Sequence, residues 1–156
     1  MHVRNRKIIA DVLDATHFIN PESADVLTRH HQVHGRVAIF EYDFADLGGV
    51  VGDINLNGLA FPGTDFMMDR ILVNAITAPT SGGSATIAIV LGGTTVLSAT
   101  AFDNTLFNNT ANLKRITLSA PVKITARTTN KITIATAALT AGRFMLYVPY
   151  GPTVVV

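Results

Sequence analysis

Residues 74–93 read NAITAPTSGGSATIAIVLGG, twenty residues without a charge. Two apolar runs flank a cluster of turn residues, and the second run ends on paired glycines. In SATIAIVL (84–91), Ile87, Ile89 and Leu91 alternate with Thr86, Ala88 and Val90, the period-2 pattern of a strand with one buried face. The glycines Gly82, Gly83, Gly92 and Gly93 permit positive φ, and Pro79 pre-sets a turn and ends the strand before it. The stretch therefore predicts a β-hairpin. Neither GxGxxG nor GxxxxGK[ST] is present and no helix follows the glycines, so this is not a phosphate loop.

The same signature extends outward in both directions. RVAIFEYDF (36–44) alternates Val37, Ile39 and Glu41 with Ala38, Phe40 and Tyr42. FMMDRILVNAIT (66–77), VKITAR (122–127), KITIAT (131–136) and RFMLYVPY (143–150) repeat the theme, with Ile132 and Ile134 expected inward and Lys131 and Thr133 outward. Turn signals separate the runs: DLGG, NLNG, FPGTD, LGGTT, FDNTLFNNT, RTTN and TAG. Eight or nine short strands at this spacing, without crossover helices, predict an all-β protein, an antiparallel β-sandwich of the jelly-roll type or a closed barrel. The character changes near Gly35. Residues 1–35 carry all five histidines and read as an N-terminal arm, extended with a short helix capped by Asn20, Pro21 and Glu22; residues 36–156 form the β-sandwich domain. The terminal GPTVVV is a strong β-former, expected to pair with its own sheet or a neighbour's.

At 156 residues the chain is one domain long, enough to bury roughly 70% of its unfolded surface without staples. It has no Cys, which excludes disulfides, thiolate metal sites and cysteine nucleophiles. Charged residues make up only 15% against about 25% in an ordinary domain, with mean hydropathy +0.35. Such a surface is either covered by sister subunits or built from Thr, Ser and Asn. Net charge is +1, so no global field draws the chain to nucleic acid or membrane. Residues 71–156 contain one acid, Asp103, and six bases (Lys114, Arg115, Lys123, Arg127, Lys131, Arg143) scattered singly along strands as solvated faces rather than clustered with stacking aromatics. No apolar run is long enough to span a membrane, and the first residues lack the apolar core of a signal peptide.

Few residues offer chemistry. His30, His31 and His34 in HHQVH are the best metal ligands in the sequence, but without HExxH or Cys support they read as a solvent-facing or interface cluster. Asp53, Asn55, Asn57 and Gly58 match the first half of a calcium loop, yet Thr64 stands where the bidentate Glu belongs. Glu41, Asp43 and Asp46 have no His or Arg beside them in sequence to form an acid/base site. GxSxG is absent. Aromatics such as Tyr42, Tyr147 and Tyr150 would suit a sugar-stacking platform, or else core and edge packing. No catalytic residue and no cofactor is expected.

Two stretches, ITAPTSGGSATIAIVLGGTTVLSATAF (76–102) and KITIATAALTAGRFMLYVPY (131–150), resemble segments of small β-rich virion structural proteins of tailed bacteriophages, of the capsid decoration or head-fibre type. The likeness covers about residues 39–150. It implies a non-enzymatic capsid decoration (cement) protein that docks on the major capsid protein or other virion proteins and stabilises the shell. The implied protein is a homo-oligomer, a trimer first, made in the host cytoplasm and placed on the capsid surface. A head-fibre or tail-fibre adaptor is the alternative, and a carbohydrate-binding β-module using the three tyrosines is the second. If residues 1–35 anchor the module, Arg4, Arg6, Lys7, Phe18 and Ile19 are the expected interaction residues.

Overall fold

The computed structural model describes residues 36–152. Nine strands and two one-turn helices follow in the order β1 (Arg36–Asp43), α1 (Phe44–Leu47), β2 (Gly52–Asn55), β3 (Asn57–Gly58), β4 (Phe66–Ser81), β5 (Thr86–Leu91), β6 (Thr94–Ala101), α2 (Thr105–Asn108), β7 (Lys114–Lys123), β8 (Lys131–Ala135) and β9 (Leu139–Pro152). They form a five-stranded sheet, β3-β1-β9-β4-β7, and a four-stranded sheet, β2-β8-β5-β6. Every pairing with a defined register is antiparallel. With the two-residue β3 set aside, the neighbours nest: β1 with β9, β2 with β8, β4 with β7, β5 with β6. A long hairpin wound on itself in this way is a jelly roll, as the alternating pattern predicted.

The inner faces of both sheets meet in one core. Phe40, Tyr42, Ile71, Val73, Phe144, Leu146 and Val148 from the larger sheet pack with Ile54, Ile87, Ile89, Leu91, Ile132 and Ile134 from the smaller. The alternation read from SATIAIVL and KITIAT holds residue by residue. Aromatic rings tie the layers and their ends: Phe144 lies 5.2 Å from both Tyr42 and Phe107, centroid to centroid, and Tyr150 meets Phe61 and Phe66 edge-on at 5.6 and 5.3 Å. Such tilted and T-shaped pairs are the favoured geometries of aromatic quadrupoles.

The deciding stretch folds differently from its prediction. Its two strands, β4 and β5, belong to opposite sheets, so residues 82–85 cross the sandwich rather than close a hairpin. Gly82 and Gly83 keep negative or extended φ. The turn is held instead by Ser81, whose hydroxyl donates to the Ala138 carbonyl at 2.7 Å and accepts from Gly83 N–H. Pro79 does not end β4. It sits buried inside the strand at a register shift, where β9 presents Gly142 at φ 137° with no side chain to collide with the proline ring. An irregular ladder tolerates the missing N–H that a regular one would not. The true hairpin is one connection later: Leu91 pairs Thr94 across Gly92 (φ 58°) and Gly93 (φ 84°), a two-residue loop with both φ positive, of the I′ kind.

Two further corrections concern local structure. VKITAR is strand only to Lys123, although Ile124 stays fully buried. One helical turn ends in DLGG and another lies within FDNTLFNNT, capped by the side chains of Asp43 and Asn104. The predicted arm (1–35) and the last four residues of GPTVVV lie outside the described residues.

Candidate interaction surface

The two sheets share a core but differ outside it. On the four-stranded sheet, the outward positions of β2 and β8 carry Asp53, Asn55, Lys131 and Thr133, and those of β5 carry Thr86, Ala88 and Val90. Asp53 accepts from Lys131 Nζ at 2.5 Å and Thr133 Oγ1 at 2.6 Å, because the register sets it directly opposite Thr133 and diagonal to Lys131. These bonds, Lys131's first, hold its carboxyl below the ordinary range. The calcium-loop motif is thereby corrected. Its first carboxylate is engaged, and Asp53 and Asn55 lie in an extended strand instead of a coordinating turn.

On the five-stranded sheet the outward positions include a group of apolar side chains. Val37, Ile39, Ile76 and Leu113 are exposed at 56, 45, 41 and 54%, high for such side chains on one side of one sheet. Between them lie half-buried Leu72 and Tyr147, cross-strand partners, and Met145, partner of Asn74, with the Tyr147 hydroxyl directed 3.7 Å from Met145 Sδ. Val37, Leu72, Asn74, Leu113, Tyr147 and Pro149 line a shallow groove of about 420 Å³. Charge flanks this patch. Arg143 Nε donates to Glu41 Oε1 at 2.7 Å and lies 3.3 Å from Asp43 Oδ2. Its guanidinium is held more firmly protonated by Glu41. Arg115, exposed, stands across from Leu72 on the other side. Apolar centre and charged rim are the anatomy of a protein interface.

Several sequence-derived sites dissolve on this frame. Glu41 and Asp43 gain an arginine, as the sequence around them did not foretell, but the trio is an exposed ion-pair cluster linking β1 to β9. The three tyrosines share no surface. Tyr42 is fully buried, its hydroxyl donating to Gly48 O at 2.9 Å, and burial with the neighbouring Asp43 charge pushes its pKa up to about 12. Tyr147 is on the outer face, and Tyr150 on the inner one against Phe61 and Phe66. His30, His31, His34, Arg4, Arg6, Lys7, Phe18 and Ile19 lie outside the described residues. Among the described residues no three His, Asp or Glu side chains converge on a metal-sized site, and no helix is long and apolar enough to cross a membrane.

One polar cluster was not foreseen. Asn130, the one buried polar side chain among the described residues, accepts from Gly92 N–H and donates to Arg127 O, both at 2.9 Å, while the residue's backbone carbonyl accepts from Leu56 N–H. It fastens the β5–β6 hairpin to the loop before β8. Asn in RTTN reads as a turn residue, and nothing local marks it as a buried clasp. No family model, curated protein or solved structure matches the chain.

Proposed function

We propose that this chain is a non-enzymatic structural protein of a tailed-phage virion, a capsid decoration protein that works as a homo-oligomer, with a trimer as the expected order. The observation that carries the proposal is the apolar outer face of the five-stranded sheet, set against the hydrogen-bonded outer face of its partner sheet. A soluble module hides such a surface against another protein. The segments 76–102 and 131–150, which resemble phage structural proteins, form β5, β6, β8 and β9 and most of the sandwich's centre. Jelly rolls are a common architecture of capsid proteins, which adds an analogy of fold only.

Immunogold labelling of particles released from cells expressing the chain, with antibody to the β-domain, tests this. Label over the capsid shell is expected. Label confined to fibres or tail favours the adaptor alternative, and unlabelled particles overturn the virion assignment.

A further inference from the structure

We propose that the free edge of β7 accepts an extended acidic segment of a partner protein as an added strand. This goes beyond the face-to-face contact proposed above and uses a different surface. Among the described residues β7 ends the five-stranded sheet and pairs only with β4, so the backbone groups on its other side have no ladder partner there. An open edge of this kind is a template for strand addition.

Three features select the occupant. First, the edge borders a cleft of about 510 Å³ between β7 and β6, the terminal strand of the other sheet, with Val96, Leu97, Leu106 and Ile116 contributing apolar walls. Inward side chains of an added strand would enter it, so alternate residues of the segment are apolar. Second, Arg115 stands on the outward side of this edge, as its pairing with outward Leu72 requires, and has no ion-pair partner among the described residues. The remaining alternate residues of the segment are therefore acidic. Third, β7 bulges between Thr117 and Val122, where five steps of its chain span two of β4, and this run contains Pro121. The usable edge is thus short and begins at Lys114 and Arg115. A second copy's β7 laid antiparallel on it would bring Lys and Arg against Lys and Arg, which disfavours the homotypic edge pairing.

The probe is a decapeptide of alternating valine and glutamate, followed by fluorescence anisotropy with the full chain, alongside the same peptide N-methylated at alternate residues. The unmodified peptide should bind. The methylated one should not, because strand addition needs its N–H groups on one side. R115E should weaken binding by about fivefold, the size expected for one exposed charge contact, while Arg115→Lys should retain it. Absence of binding by the unmodified peptide, equal binding of the methylated peptide, or indifference to the charge reversal at Arg115 would each overturn the proposal.

Discussion

The two sheets of this sandwich are alike inside and opposite outside. Their inner faces contribute Phe, Ile, Val and Leu to one core with no exposed member. Their outer faces diverge: one is a lattice of Asp53, Lys131 and Thr133 bonds that water tolerates, the other a field of Val37, Ile39, Ile76, Tyr147 and Leu113 that water does not favour. Folding explains the inner faces and is indifferent to the outer ones. The outer difference is therefore the ground for the proposed association.

The comparison predicts first that the cores are equivalent. Phe144→Ala on the larger sheet should cost about 3–5 kcal/mol and Ile132→Ala on the smaller about 2–5 kcal/mol, since both side chains are fully buried. Urea unfolding followed by circular dichroism measures both. A near-neutral Ile132→Ala would break the symmetry and make the smaller sheet a loosely held layer.

A second prediction sharpens the inner side through pH. Tyr42 has its pKa raised to about 12 against about 10 for an unfolded tyrosine, so the fold favours the neutral phenol. Stability from this group is complete below pH 10 and is lost as pH rises toward 12, by an amount on the order of 2–3 kcal/mol. Tyr42→Phe should flatten that alkaline decline while costing about 1 kcal/mol at neutral pH through the lost bond to Gly48 O. An unchanged alkaline profile in Tyr42→Phe would show that another group governs it.

The smallest effect belongs to the polar outer face. The folded pKa of Asp53 is lowered, so its contribution is present above the unfolded carboxylate range and is lost as pH falls through the folded value. Being exposed and salt-screened, Asp53→Asn should shift acid unfolding slightly and less at high ionic strength. A large shift would mean that the four-stranded face also is shielded from water.

Much of this was legible in the sequence. Period-2 patterning placed Ile87, Ile89, Leu91, Ile132 and Ile134 correctly, because one face of each run is uniformly branched and apolar. Pairing was not legible. β4 partners β9 some sixty residues away, as the Thr80–Thr140 hydroxyl contact shows, and local turn residues cannot say whether a strand returns on its own sheet or crosses to the other. The apolar outer face was hidden for a related reason: in RVAIF both alternating sets are apolar, so the sequence does not distinguish Phe40, which is buried, from Val37 and Ile39, which are not. Arg143 found Glu41 across 102 positions of chain, beyond the reach of any local motif.

The most direct measurement is sedimentation equilibrium of the full chain beside I76K/L113K, which places charge on the apolar outer face, and T133K, which places it on the polar one. The expected result is an oligomer for the native chain and for T133K, and a monomer that stays folded by circular dichroism for I76K/L113K. A native chain that sediments as a monomer, or an oligomer that survives I76K/L113K, would contradict the assignment of that face as the surface of association.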